Sequence, residues 1–383
     1  MPIERCVTPG AVLRLAALSF FLFVPALAWA GSASGSYSPT SHLDPVPAAA
    51  YYLSPAGSDS NPGTYEQPWL TLGKAAASVS AGDTVVLEPG TYGARGKTTT
   101  FRRVGTASAP ITFRGDPSGP LPTILGYVKI TGSYQRFSYL LFDGPTGQVT
   151  KPSSANPGGE QVEVSVYGPA VNGIEISDCE VRYSHWHAGI FLSTANDVRI
   201  TGNYIHDNGD FSDPGQANTS HGIYFSQGSG LIANNVLEHN VARGVQLYSK
   251  PHDVTVANNT IVNNGKTGIQ FASATANSIA VNNLVAYNSS YGIRSSSLSR
   301  TGNVVQRNLV WGNGGHDLDP AAGLTLIDNL QLDPGFGPAD DYRPPAGSPA
   351  IDQAVPSYAP GIDFDGLTRP LGAGPDIGAF EVG

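Results

Sequence analysis

From Gly222 the chain reads GIYFSQGSGLIANNVLEHN, from Gly244 GVQLYSKPHDVTVANNTIVNN, from Gly268 GIQFASATANSIAVNNLVAYN and from Gly292 GIRSSSLSRTGNVVQRNLVWGN. Gly222 to Gly244, Gly268 and Gly292 are intervals of 22, 24 and 24 residues. One coil earlier, Gly189 opens GIFLSTANDVRITGNYIHDN. A second column runs Asn203, Asn235, Asn259, Asn283 and Asn308, with Cys179 one coil before it. A third, five residues on, holds Asn208, Asn240, Asn264, Asn288 and Asn313.

Each repeat offers three short apolar-alternating runs: Gly-Ile-x-Leu, then Val-x-Ile or its like, then Asn-x-Ile. Strands this short cannot close a core within one repeat. Stacked coil on coil, each pairs in parallel with its counterparts about 4.8 Å above and below. Ile190, Ile223, Val245, Ile269 and Ile293 then form one inward ladder. The Asn columns fall at corners, where Asn tolerates a left-handed backbone and its amide can bond to the next coil. The period therefore predicts an all-β solenoid, a parallel β-helix. A β-sandwich would require hairpins and show no fixed period.

The rest of the chain fits around that solenoid. WLTLGKAAASV, Trp69 to Val79, has helical spacing and supplies a short N-terminal capping helix for the otherwise exposed solenoid end. Tyr51 to Leu53, Asp83 to Leu87 and Ile111 to Arg114 read as early, irregular coils. The domain expectation is a helix-capped β-helix over 49–330, followed by a Pro- and Gly-rich C-terminal cap segment over 331–383. Residues 31–48 are a Ser-, Gly- and Pro-rich flexible linker. Residues 1–30 carry Arg5 and Arg14 before the apolar run Leu15 to Trp29, which ends Ala28-Trp29-Ala30. That is the pattern of a secretory signal peptide, so the mature chain is expected to be secreted, with no later segment of membrane length.

Composition agrees. The 383 residues include 46 Gly and 30 Pro, and only 13% are charged, where about 25% is usual. A helical bundle needs more Leu, Glu, Lys and Ala, and 40% hydrophobic residues argue against disorder beyond the termini. Loss of Glu4, Arg5 and Arg14 with the signal takes the net charge from −9 to −10. An acidic chain without a basic stripe argues against nucleic acid as partner. Once Cys6 has gone with the signal, Cys179 stands alone, so no disulfide framework forms, and an apolar setting makes it a core residue. A monomer is expected.

The opening YYLSPAGSDSNPGTYEQPWLTLGKAAASVSAGDTVVLEPGTY resembles that of secreted bacterial right-handed parallel β-helix proteins of the pectate-lyase-like superfamily. The ending, DYRPPAGSPAIDQA and DFDGLTRPLGAGPDIGAFE, is similar to the C-terminal segment of the same group. This resemblance implies a right-handed helix and export. It leaves the chemistry open among lyases, epimerases, hydrolases and proteins without known activity.

On the first strand of each coil the residue two after the Gly faces outward, giving Phe191, Tyr224, Gln246, Gln270 and Arg294. Immediately before the glycines stand Ala188, His221, Arg243, Thr267 and Tyr291. Tyr248 and Lys250 continue the same strand, and His187 lies one coil earlier. A lone His or Arg on such a face is ordinarily solvated. Two adjacent coils carrying His221, Tyr224, Arg243, Tyr248 and Lys250 mark a candidate site for a polysaccharide laid along the stack. Lyases and epimerases acting on uronans need a cation to neutralise the C6 carboxylate, a base for the C5 proton and an acid. Arg243 fits the first role, His221 or Lys250 the second, and Tyr224 or Tyr248 the third. His187, Phe191, Gln246, Tyr248 and Gln270 are the candidate substrate-binding residues. A non-catalytic carbohydrate-binding or cell-surface protein is the alternative.

Between Ile205 and His221 lies HDNGDFSDPGQANTS, about ten residues beyond the coil length, expected as a projecting cleft wall. It carries Asp207, Asp210 and Asp213, candidate Ca²⁺ ligands or else solvated loop acids. The coil order also resembles that of calcium-dependent pectate lyases of polysaccharide lyase family nine. That family places Asp before the corresponding glycines, where this chain has His221 and Ala242-Arg243. The departure favours a metal-free mechanism such as some alginate lyases and mannuronan C5-epimerases use. The paired carboxylates of β-helical glycoside hydrolases are not evident in the repeats. Asp340, Asp341, Asp363 and Asp365 lie in the tail, where turn roles are expected.

Overall fold

The computed structural model describes residues 47, 50–146, 164–166, 171–185, 188–296, 299, 301–319, 323–336 and 341–383. The expected signal peptide and nearly all of the expected linker lie outside the described residues. Strands from successive coils pair in parallel in three sheets. The first sheet aligns Ile223, Val245, Ile269 and Ile293. The second aligns Ile232, Val256, Ala280 and Val305, and the third Leu237, Ile261, Val285 and Val310. All twelve are fully buried, so one ladder from each sheet fills the interior. Earlier coils fill the same space with aromatics: Phe113 stacks on Phe137 at 5.4 Å, and Phe101 meets both edge-on.

The glycine column has a steric cause. A Cβ at Gly244 would lie 2.4 Å from Ile261 Cγ2, and one at Gly268 2.4 Å from Val285 Cγ1. The first strand of each coil passes so close to its own third strand that only hydrogen fits there. The Asn columns are hydrogen-bond ladders. Asn259 Nδ2 donates to Ile232 O at 2.9 Å, to Ala257 O at 3.1 Å and to Asn283 Oδ1 at 2.9 Å. Its Oδ1 accepts from both the backbone N–H and the Nδ2 of Asn235, at 3.0 and 2.9 Å. Cys179 heads this column, buried, its N–H donating to Asn203 Oδ1 at 3.0 Å. The left-handed residue is the one before each ladder position (Asn234 at φ 55°, Asn258 at 51°, Asn282 at 58°), one step earlier than the sequence suggests. The repeat also continues past Asn313, through strands Leu318–Asp319 and Leu324–Ile327 and a last ladder bond from Asn308 Nδ2 to Asn329 at 2.9 Å. Leu326 and Ile327 in this last strand face solvent.

The capping helix spans Leu72–Ser78, with the Thr71 hydroxyl accepting from Lys74 N at its N-terminus. Leu72, Ala75, Ala76 and Val79 are buried with Leu53 and Trp69, closing the N-terminal end of the core. Among the described residues no helix is long and apolar enough to cross a membrane.

Residues 341–383 run along the third-sheet flank of the middle coils. Phe336, Tyr342, Ile377 and Phe380 pack on Val236, Val262, Leu284 and Leu309. Left-handed corner residues hold this segment: Asn258 Nδ2 donates to Asp376 O at 2.9 Å, and Gly378 N donates to Asn282 O at 2.8 Å. A fully buried ion pair, Arg369 to Glu381 at 2.8 Å, organises its interior. Asp363 caps a turn through Leu367 N at 2.7 Å, whereas Asp365 pairs with Arg343.

Glu238 ties this flank segment to the solenoid, accepting from the hydroxyls of Tyr204 and Tyr342 and from His239 Nδ1 at 2.9 Å. Burial opposes its charge, yet the bonds from His239, Tyr204 and Tyr342 outweigh burial and hold its pKa down at about 2. A depressed carboxylate stabilises the fold fully above its unfolded value near 4.5, and that contribution is lost as pH falls through the folded value. Glu238→Gln is therefore expected to cost up to about 3 kcal/mol at neutral pH. Thermal unfolding of the two proteins between about pH 5 and pH 2 checks this, since their Tm values converge as the acid limb is crossed.

Candidate functional site

Two long strands, His221–Ala233 and Val245–Ala257, run from the first sheet through the corner into the second. Their outward column aligns Phe191, Tyr224, Gln246, Gln270, Arg294 and Asp319 in register. The ring of Tyr224 lies 5.1 Å from Phe191, 5.4 Å from His221 and 6.4 Å from Tyr248, centroid to centroid. Gly222 N donates to Arg243 O at 2.9 Å, and Arg243 N donates to His221 Nδ1 at 3.3 Å. That second bond leaves the proton of the neutral imidazole on Nε2.

These residues line a hollow of about 340 Å³: His221, Tyr224, Arg243, Gln246 and Tyr248, with Asn218 and Thr219 as a wall. Asn218 and Thr219 come from the insertion after Asn208, which folds back through the 3₁₀ turn Gln216–Asn218. Lys266 Nζ holds that wall, donating to Asn218 Oδ1 at 2.7 Å.

Among the described residues no carboxylate lines the hollow. Arg243 has no acidic partner among the described residues, and its Nε donates to Gln270 Oε1. Burial lowers the guanidinium pKa, and the charge of Arg294 lowers it further, against a small opposing pull from Tyr224. Arg294 is itself paired with Asp319 at 3.3 Å and stacked over Tyr291, so Arg243 carries the uncompensated charge. Burial, then Arg243, also lowers the pKa of Lys266. Burial raises the Tyr224 phenol, as does Tyr248, while Arg243 acts the other way.

His221, Tyr224, Arg243, Gln246 and Tyr248 are thus brought together, with Phe191 against Tyr224 and Gln270 bonded behind Arg243. Lys250 is not among them. Tyr248 and Ser249 both face Ser226, and this bulge carries Lys250 to the register of Gln227, exposed and outside the hollow. His187 lies outside the described residues. Lys266 was hidden because it stands two residues before Gly268, in the row of Ala242, to whose carbonyl its backbone N–H donates.

The three candidate Ca²⁺ ligands do not gather. Asp207 accepts from His206 Nδ1 at 2.8 Å, and Asp210 accepts from the backbone and hydroxyl of Ser212 at 2.8 and 2.6 Å. Asp213 accepts from Gly215 N at 2.8 Å and Gln216 Nε2 at 3.3 Å. Local turn and loop bonds satisfy each carboxylate where it stands. Among the described residues no group of three or more His, Cys, Asp or Glu is placed to hold a metal ion. A hollow with a guanidinium and no carboxylate does not fit Ca²⁺, which takes six to eight oxygens.

The chain matches, over residues 51–318, the family described as Pel9A-like, right handed beta helix region. The solved structure of pectate lyase Pel9A is similar at 17% identity with a TM-score of 0.59, covering 87% of this chain and 96% of that one. A rhamnogalacturonan lyase, also 17% identical, has a TM-score of 0.55, covering 74% and 86%. These two likenesses are likenesses of fold. A Bacillus subtilis (strain 168) protein described as uncharacterized protein YwoF is 46% identical over 63 residues, 16% of this chain and 13% of that protein's length.

Proposed function

The chain belongs to the Pel9A-like right-handed β-helix family, and from that premise we propose that it is an exported enzyme acting on a uronan, as a lyase or a C5-epimerase. The observation that carries this reading is Arg243, a largely buried cation without a carboxylate partner among the described residues, in a hollow that none of the described acids lines. A desolvated guanidinium left unpaired is costly, and a substrate carboxylate supplies the missing anion with matching fork geometry. The reading fits a polyanion better than a neutral glycan, because Lys266 adds a second cation at the wall of the same hollow.

In this reading Arg243 neutralises the C6 carboxylate, which lets negative charge from C5 spread into it. Lys266, whose Nζ stands at the wall of the hollow on Asn218 and whose pKa is lowered by burial and by Arg243, is the candidate base for the C5 proton. In a lyase the freed electron pair becomes the C4–C5 double bond as the C4–O bond breaks, and Tyr224, in the outward column, protonates the departing oxygen. In an epimerase a proton returns to C5 from the opposite face. His221, with its proton on Nε2, serves as a hydrogen-bond donor to the sugar rather than as the base. The rings of Phe191, Tyr224 and Tyr248 offer stacking surfaces across three coils.

The test is incubation of the full chain with polygalacturonate, with alginate and with glycosaminoglycans. A rising near-ultraviolet absorbance identifies the lyase, and solvent deuterium at C5 without absorbance identifies the epimerase. Neither signal on any of these polymers overturns the catalytic reading.

A further inference from the structure

Two glutamines stand next to each other in the outward column, and the structure gives them different surroundings. Gln270 is committed: its Oε1 accepts from Arg243 Nε. Gln246 is 6% exposed, lines the hollow, and its Oε1 is buried with no hydrogen-bond donor. Among the described residues no hydrogen bond from its side-chain amide accompanies this. The ladder amides of Asn235, Asn259 and Asn283 are all satisfied at both ends. A buried amide left unsatisfied in a protein that satisfies those amides so fully points to a partner from outside the chain.

We infer that Gln246 reads a hydroxyl of the uronate residue whose carboxylate Arg243 holds, while Gln270 acts as a positioning residue that aims Arg243. This rests on the uronan reading and adds a specificity-determining contact to it. An amide suits a hydroxyl because each group both donates and accepts, and rotation about the last side-chain torsion presents either end of the amide. A carboxylate is a poorer partner for the amide oxygen, and Arg243 already receives that group in the same hollow. A single uncharged oxygen is no cation site.

The assignment makes a prediction about substrates as well as variants. Galacturonate and guluronate trisaccharides, each as the parent compound and deoxygenated in turn at C2 and C3, are titrated calorimetrically against the wild-type chain, Gln246→Met and Gln246→Glu. Deoxygenation removes the hydroxyl without adding bulk. At one of the two positions it is expected to weaken wild-type binding about tenfold. Gln246→Met keeps the length of the side chain and removes its polar end, so parent and deoxy compounds should bind it equally. Gln246→Glu keeps an accepting oxygen and should retain the difference at reduced overall affinity. Gln270→Met should weaken parent and deoxy compounds alike, through Arg243. If neither deoxygenation weakens the wild type, or the same loss persists in Gln246→Met, the role of Gln246 is overturned and the uronan reading stands. If the wild type binds no parent trisaccharide, the uronan reading fails, and this assignment fails with it.

Discussion

Arg243→Met is expected to lower kcat/KM on the cognate uronan by about two to three orders of magnitude, the scale seen when one stabilising donor of developing negative charge is removed. The same variant should unfold close to the wild type. Loss of an unpaired, largely buried cation relieves a desolvation penalty. Against this, Gln270 loses its donor, which costs about 1 kcal/mol. A large functional loss with little change in Tm separates a ligand-binding arginine from a structural one. Arg243→Lys should recover only part of the activity, because a point charge cannot match a carboxylate through two parallel bonds. Kinetics of the three proteins beside their thermal unfolding curves decide it. A fall in Tm of many degrees with proportionate loss of activity would assign Arg243 to the scaffold.

Asn259→Ala is expected to be among the most damaging single changes to stability, about 3–5 kcal/mol. Asn259 is fully buried in the middle of the ladder, with three donated and two accepted hydrogen bonds. Its loss strands the backbone N–H of Asn235, takes one acceptor from the Asn235 side-chain amide (which keeps Ile200 O and Ala233 O), and removes a donor from Ile232 O, while Asn283 Oδ1 loses one of its partners. Each stranded buried group costs about 1–3 kcal/mol. The same change at Asn308, whose neighbour in the ladder is the partly exposed end residue Asn329, should cost less. Urea unfolding of both variants measures the difference. Equal, small effects at the two positions would mean that the ladders contribute little to holding the coils together.

The fold was legible because a fixed period forces identical residues into identical places. Gly, Ile and Asn columns read at 22–25 residue spacing, with one longer interval across the inserted loop, predict the register, and the observed pairs follow it from Ile190 to Ile293. The outward column from Phe191 to Arg294 is legible for the same reason. What the period does not encode is anything that breaks it. The bulge at Tyr248 and Ser249 moves Lys250 out of the site, and no spacing of glycines announces it. Lys266 reaches the wall residue Asn218 from a turn preceding its strand, a row with no repeating residue type. The separate roles of Gln246 and Gln270 depend on which side chain Arg243 reaches, and both carry the same letter. The corner segment from Asp207 to Asp213 offers the spacing of a ligand cluster, whereas the fold turns Asp210 and Asp213 to their own backbone and Asp207 to the His206 imidazole.

The central claim is that the hollow beneath Arg243 receives a uronate carboxylate. Calorimetric titration of the wild-type chain with a uronate trisaccharide, and with the same trisaccharide after reduction of its carboxylates to primary alcohols, tests this most directly. Ring, linkage and hydroxyls stay the same, and only the charge is removed. Binding is expected to weaken about a hundredfold or more on reduction, and to weaken with added salt for the uronate alone. Equal affinity for the two compounds would contradict the account.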